Sequence, residues 1–178
     1  MCKENTIYIN ITNEWLKKSS KNNGKIKVLQ KNDMFNYKGK IYIVDMHHVK
    51  YRMRKKELAF VNWLAKKTRF IIQLNPEVEF PEGVSVADCT IFDNNKSLGN
   101  YDMKIVSGNS NQLLYHNIYK KKNQATKFLF EATDSQLNMT ELKKQASIIF
   151  EWKASWVEEI GIKKDEDFLI LKNKNIKK

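Results

Sequence analysis

Two aspartates and a lysine occupy positions at which paired strands would bring them together. Asp88 lies in one strand-like apolar run, and Asp102 and Lys104 lie in the next. The polar stretch 93–97 joins the two runs, and its length and composition predict a hairpin centred near Asn95. Because side chains alternate across a strand, Asp102 and Lys104 share one face. The same register puts Asp88 almost opposite Asp102.

This arrangement predicts metal-assisted chemistry on a phosphate. Two carboxylates that face each other across strands repel, which makes the pair unfavourable for stability alone. A divalent cation removes that penalty, and Mg²⁺ binds one or two carboxylates together with water and substrate phosphate. Lys104 is suited to position and help deprotonate a water, or to stabilise charge on the phosphate. The alternative is that both aspartates are ordinary acidic residues of a hairpin.

Glu57 is a third candidate carboxylate. We predict a helix over about Tyr51 to Lys67, with Glu57 in the middle of its apolar stripe, which consists of Met53, Phe60, Val61 and Leu64. An ionised carboxylate in such a stripe is unfavourable unless it is paired or bound to a metal. Pairing with Lys50 or Arg54 at the edge of the stripe is the other reading.

The predicted strands and helices that would position these residues divide the chain into two parts. Residues 1–50 form a small β-rich unit, in which Met34–Tyr37 and Ile41–Asp45 make a hairpin. Residues 51–178 follow the order α-β-β-β-α-β-α-β-β, which is typical of a layered α/β or α+β domain.

Five elements are predicted after the strand that carries Asp102 and Lys104, and two of them are the strands Lys127–Ala132 and Phe168–Leu171. A helix covers about residues 111–124, and Asn138 with Glu141 forms a capping box that opens another helix, which ends near Lys153. Trp156–Ile160 is predicted to be a strand.

Charge is the strongest compositional signal. The 178 residues include 32 Lys and Arg against 20 Asp and Glu, a net charge of +12. A domain this basic attracts polyanions such as nucleic acid. A lysine-rich compositional bias would give the same net charge without any functional role. Two cysteines, Cys2 and Cys89, make no disulfide framework, so a reduced, cytoplasmic environment is expected. No apolar run is long enough to span a membrane.

Three short segments resemble the PD-(D/E)xK nuclease superfamily: KKELAFVNWL with Glu57, VADC with Asp88, and YDMK with Asp102 and Lys104. More narrowly, residues 33–173 resemble the C-terminal nuclease domain of contact-dependent inhibition toxins and related proteins of phages and mobile elements. The segments YKGKIYIVD, PEGVSVAD, GNYDMK and KKKNQA carry that likeness.

The resemblance implies a restriction-endonuclease-like mixed sheet flanked by helices, with residues 51–178 as the nuclease domain. It implies a catalytic set whose carboxylates bind Mg²⁺ or Mn²⁺: Glu57, Asp88, Asp102 and Lys104. Gln124 is implied to lie near this set and to contact nucleic acid. Lys120, Lys121 and Lys122 either hold phosphates there or only favour the helix dipole.

The predicted function is metal-dependent endonucleolytic hydrolysis of phosphodiester bonds. RNA, particularly tRNA, is favoured over DNA because of the resemblance to inhibition toxins. A cognate inhibitor or a mobile-element protein is a possible partner. The alternative function is a non-catalytic DNA- or RNA-binding accessory protein of a phage or conjugative mobile element, which binds nucleic acid with steep salt dependence but does not cleave it.

Overall fold

The computed structural model describes residues 21–37, 39–44, 49–50, 53–78 and 82–176. Much of the predicted N-terminal unit, including residues 1–20, lies outside these ranges. The chain divides into two compact units, Met1–Val86 and Ala87–Lys178. The predicted boundary between residues 50 and 51 stays a prediction.

Within its described residues, the first unit has a helix and several short strands. Its elements are β1 (Ile26–Val28), β2 (Met34–Tyr37), β3 (Lys40–Ile43), β4 (Val49–Lys50), α1 (Lys55–Lys67), β5 (Ile71–Leu74) and β6 (Glu77–Val78). Strands β1 and β5 pair in parallel, and β4 and β6 pair antiparallel. The predicted hairpin is confirmed as the antiparallel pair β2–β3.

Helix α1 is shorter than the sequence pattern predicts. Arg54 has an extended backbone and is the N-cap residue, so the predicted start at Tyr51 is wrong. Its buried face consists of Leu58, Phe60, Val61, Leu64 and Ala65. Met53 precedes the helix and is not part of that face. The last turn carries Lys66 and Lys67, where positive charge is favourable for the helix dipole.

The second unit is built on five strands. Its elements are β7 (Cys89–Asp93), β8 (Lys96–Ile105), α2 (Leu113–Ile118), a 3₁₀ turn (Tyr119–Lys121), β9 (Lys127–Glu131), α3 (Met139–Ile148), a π-helical turn (Ile149–Lys153), β10 (Glu159–Lys164) and β11 (Asp167–Lys172). The strands lie in sequence order across the sheet. The β7–β8 and β10–β11 pairs are antiparallel, whereas β8–β9 and β9–β10 are parallel. The predicted α+β class with a mixed sheet and helices is confirmed.

Both ends of the predicted Asn138 helix are explained by local interactions. The capping box is confirmed, because Glu141 N–H donates to Asn138 Oδ1 at 3.0 Å and Asn138 N–H donates to Glu141 Oε2 at 2.7 Å. At the other end the helix widens into the π-helical turn, which closes when Ala154 N–H donates to Ile149 O at 2.8 Å.

Two predicted elements of this unit have other bounds. The helix predicted over residues 111–124 is α2 followed by the 3₁₀ turn, so it ends before Gln124. The strand predicted at Trp156–Ile160 is wrong over its first residues, since β10 begins at Glu159. Trp156 lies in a turn and packs edge-on against Phe128, with ring centroids 5.9 Å apart. Its aromatic side chain therefore serves packing on the sheet rather than strand pairing.

The core of the second unit covers both faces of its central strands. Fully buried residues of β9, β10 and α3 include Phe128, Leu129, Phe130, Ile160, Ile162, Leu142 and Ala146, and neighbours along a strand point to opposite faces of the sheet. Gly161 stands in the middle of β10, where a Cβ atom would lie 2.6 Å from Leu129 Cδ2. No helix in the described ranges combines the length and apolar character of a membrane span.

Candidate active site

The β7–β8 hairpin sets the register that brings the two aspartates together. Its two-residue loop, Asn94–Asn95, has positive φ at both positions, the backbone that a type I′ turn requires. Cys89 pairs with Tyr101. Continuing that register by one residue puts Asp88 opposite Asp102, as predicted.

Asp88 is anchored to the backbone of the opposite strand. Its Oδ2 atom accepts a hydrogen bond from Met103 N–H at 2.5 Å. Asp88 itself lies in a bend just before β7, one residue beyond the paired residues of the hairpin. The carboxylate therefore sits at the peptide group that follows Asp102.

Asp102 is fully buried and its two oxygens face different donors. Gln124 Nε2 donates to Asp102 Oδ1 at 2.7 Å. Asp102 Oδ2 forms an ion pair with Lys104 Nζ but makes no hydrogen bond of normal geometry. The predicted shared face of Asp102 and Lys104 is confirmed by this contact, and the Lys104 side chain is 19% exposed. The pair thus lies at the boundary between core and solvent.

Gln124 links the buried aspartate to the basic segment before it. Its Oε1 atom accepts from Lys121 Nζ at 2.9 Å, and its N–H donates to Lys121 O at 2.8 Å. Lys122 is exposed, and the side chain of Lys120 lies outside what the structure describes. Of the three predicted lysines, Lys121 is the one for which the structure gives a connection to Asp102. The i, i+3 spacing of Lys121 and Gln124 is a sequence pattern that could have indicated the contact between these two residues.

The two aspartates also act on a neighbouring thiol. Burial raises the pKa of Cys89, and the charges of Asp88 and Asp102 raise it further. Cys89 is inaccessible to solvent, and its Sγ atom donates to Tyr101 O at 3.8 Å. Both carboxylates are therefore close enough to one group to disfavour a further negative charge there.

Glu57 has a structural role in its own helix. Its Oε2 atom accepts from Arg54 N–H at 2.7 Å, so the Glu57 side chain caps the start of α1, while the Arg54 guanidinium has no acceptor with which to return the bond. A negative charge in the first turn is favourable for the helix dipole. Glu57 is thus at the helix start rather than in the middle of a buried stripe, and this capping explains an acidic residue at position 57 without a metal. Its part in a catalytic set stays a prediction.

The donor atoms at Asp88 and Asp102 fit a hard divalent cation. Carboxylate oxygens are the ligands that Mg²⁺ and Mn²⁺ prefer, and Mg²⁺ commonly takes only one or two of them. Within the described ranges, no group of three or more His, Cys, Asp and Glu side chains is arranged to hold a metal ion. A cation here would compete with Lys104 for Asp102 Oδ2, the atom that lacks a normal hydrogen bond.

Residues 91–168 match the family model of the contact-dependent growth inhibition CdiA C-terminal domain. The matched region contains Asp102, Lys104 and Gln124, whereas Asp88 and Glu57 precede it. No curated protein matches the chain.

A solved structure shares the fold. It is a chain of the CdiA-CT/CdiI toxin and immunity complex from Burkholderia pseudomallei, with 17% sequence identity and a TM-score of 0.50. The similarity covers 82% of this chain and 98% of that chain. At this identity the likeness is one of fold.

Proposed function

We propose that this protein is a metal-dependent endonuclease of the PD-(D/E)xK type that hydrolyses phosphodiester bonds. The observation that carries the proposal is the contact of Lys104 with buried Asp102, next to Asp88 at the end of the same hairpin. A buried carboxylate with a lysine on one oxygen and an amide on the other is an unusual arrangement for stability alone. The match of residues 91–168 to a toxin-domain family supports the same reading.

Asp88 and Asp102 would hold the cation, with Glu57 as a further candidate ligand. A bound Mg²⁺ or Mn²⁺ supplies a water of lowered pKa and charge stabilisation at the scissile phosphate. Asp102 also holds Lys104 in place through the ion pair at Oδ2. Lys104 is then positioned to orient an attacking water and to give or take its proton. Gln124 fixes the orientation of the Asp102 carboxylate through Oδ1.

The substrate class is nucleic acid, with RNA of the tRNA type favoured over DNA. A net charge of +12 gives strong, salt-dependent attraction to phosphate backbones. The preference for RNA rests on the resemblance to inhibition toxins. The similar structure is a toxin and immunity complex, and we extend the proposal to a cognate inhibitor protein as the partner of this chain.

The test is a cleavage assay with three substrates and one catalytic variant. Wild type is incubated with total tRNA, plasmid DNA and single-stranded DNA, each with Mg²⁺, Mn²⁺ or chelator. Lys104→Ala is expected to reduce cleavage by about 10²–10⁴-fold. It should change binding by less than about threefold, because one cation among 32 contributes little to the total attraction.

Lys144→Ala is the matched control, because it removes the same charge from an exposed position on α3. It should leave both cleavage and binding unchanged. If Lys104→Ala weakens binding and cleavage in parallel, Lys104 belongs to a binding face and the catalytic assignment fails. Wild type that binds nucleic acid without cleaving it in either metal would favour the accessory-protein alternative.

A further inference from the structure

Two tyrosines and a lysine form a surface beside the Lys121–Gln124–Asp102 connection. We call Tyr115, Tyr119 and Lys153 the aromatic ledge. The two rings have centroids 5.7 Å apart with planes tilted by 30°, and Lys153 Nζ lies 5.6 Å from the centroid of the Tyr115 ring. Tyr119 is 48% exposed, Tyr115 is partly buried and Lys153 is exposed. The ledge therefore presents aromatic surface with a cation at its side.

The two tyrosines of the ledge, Tyr115 in α2 and Tyr119 directly after it, are separate from the buried residues of that helix. The buried residues of that helix are Leu113, Leu114 and Ile118. Tyr115 and Tyr119 are four residues apart, a spacing that puts both on one side of a helix. Packing against the core does not require a large aromatic residue at the exposed position of Tyr119.

The chain connects the ledge to the candidate active site over two residues. Tyr119 begins the 3₁₀ turn that ends at Lys121. Lys121 Nζ donates to Gln124, which in turn donates to Asp102. Lys122, the next residue, is exposed. The segment that contacts Asp102 through Gln124 therefore also carries exposed aromatic surface and cations.

We propose that the aromatic ledge stacks an unpaired base of the substrate, so that the enzyme acts on single-stranded RNA or on loops and ends rather than on duplex. This inference rests on the proposed nuclease function. Bases in a duplex are already stacked on their neighbours, whereas an unpaired base has a free π-face that an aromatic side chain binds in any sequence context. Lys153 and Lys122 supply charge for the adjoining phosphates.

The inference is tested by equilibrium binding in chelator, where no metal-dependent cleavage occurs. Anisotropy is measured for a fluorescent 12-nucleotide RNA and for the same sequence as a duplex. Tyr119→Ala is expected to weaken single-strand binding by roughly tenfold and to leave duplex binding within about twofold. Tyr119→Phe keeps the ring and should keep the single-strand affinity within about twofold of wild type.

Two lysine variants separate stacking from charge. Lys153→Ala should weaken the binding of both single-stranded and duplex RNA. It should also lower the magnitude of the slope of log K against log salt by about one. Tyr119→Ala should leave that slope unchanged. Lys144→Ala controls for charge alone: Lys144 is exposed, and it lies about 200° around α3 from buried Leu142. It should leave the preference for single-stranded over duplex RNA unchanged.

The outcomes distinguish the ledge from the nuclease reaction. If Tyr119→Ala loses the same affinity for single-stranded and duplex RNA, or loses affinity for neither, the stacking role of the ledge is refuted, even if wild type cleaves its substrate well. A lost single-strand preference in Tyr119→Ala, in a protein that cleaves no substrate in any metal, would keep the ledge and reject the nuclease proposal. If Tyr119→Ala does not fold, Tyr119→Leu replaces it, because leucine fills volume without a π-face, and the same two criteria apply.

Discussion

Replacing Asp102 with asparagine removes one charge while keeping the size of the side chain. In the wild type, Asp102 Oδ1 accepts from Gln124 Nε2 and Oδ2 pairs with Lys104. Asparagine retains one oxygen, which can still accept from Gln124. Its amide nitrogen then faces the Lys104 ammonium, and two donors meet without an acceptor between them. We therefore expect Asp102→Asn to be less stable than wild type in the absence of metal.

The size of this loss follows from the burial of the two partners. Asp102 is completely buried, and hydrogen bonds to charged groups contribute about 1.5–3 kcal/mol. Removing one member of a fully buried ion pair costs about 3–5 kcal/mol when the other charge is stranded. Lys104 is 19% exposed and can turn toward water, which reduces that cost. We expect a loss of about 2 kcal/mol, or roughly 4–8 °C in Tm for a chain of this length.

Added metal should widen the difference in stability between wild type and Asp102→Asn. A cation that binds only the folded protein stabilises it by RT ln(1 + [L]/Kd), about 2.7 kcal/mol at a hundred times Kd. Wild type should gain stability with millimolar Mn²⁺ or Mg²⁺. Asp102→Asn should lose most of that gain, because it offers the cation a neutral oxygen in place of a carboxylate. The assay is a set of thermal melts followed by circular dichroism, each with chelator and with metal.

Glu159→Gln provides the control for losing a carboxylate elsewhere in the same unit. Glu159 accepts from the Tyr101 hydroxyl at 2.7 Å and from Lys127 Nζ at 3.3 Å. This variant should lose stability but keep the full response to metal. Asp102→Asn that gains as much from metal as wild type would refute the metal-ligand role. Asp102→Asn that is as stable as wild type in chelator would refute the energetic role of its two donors.

Three further predictions concern the packing and titration of the second unit. Gly161→Ala should lower the free energy of unfolding by about 1–3 kcal/mol, because the new Cβ would overlap the Leu129 side chain. Urea titrations measure this loss, and an unchanged urea midpoint would contradict the prediction. Burial acts to raise the pKa of Glu131, but hydrogen bonds, above all from Thr133, outweigh it and bring the pKa below its ordinary 4.5. Glu131 therefore adds stability that is present above pH 4.5 and is lost as the pH falls through the lower folded-state pKa, so the stabilities of wild type and Glu131→Gln should converge in acid unfolding curves. Cys89, buried and with a raised pKa, should be alkylated at pH 8 only after unfolding, as read by peptide mass spectrometry.

The sequence alone determined the parts of the site that depend on strand geometry. A strand has a period of two, so Asp102 and Lys104 had to share a face wherever the strand lay. The Asn94–Asn95 loop favours the positive φ values of a tight hairpin. That turn pairs Asp93 with Lys96, and a one-residue shift of the pairing between Ile91 and Phe92 then brings Asp88 opposite Asp102. The capping box at Asn138 is likewise a local pattern over four residues. In each case the information lies within a few residues of the feature.

The tertiary structure decided which partners those side chains meet. Gln124 is 22 residues from Asp102, and their hydrogen bond exists because β9 pairs in parallel with β8 and brings the preceding segment to the buried carboxylate. Asp88 accepts a hydrogen bond from the backbone N–H of Met103, and the residue types in the sequence give no indication of such a backbone partner. Glu57 shows the opposite case: its spacing suggested a buried charge, but the helix begins at Lys55 and the carboxylate caps it. Helix ends and long-range contacts depend on free energies summed over many weak interactions, so periodicity predicts the faces of an element better than its limits or its neighbours.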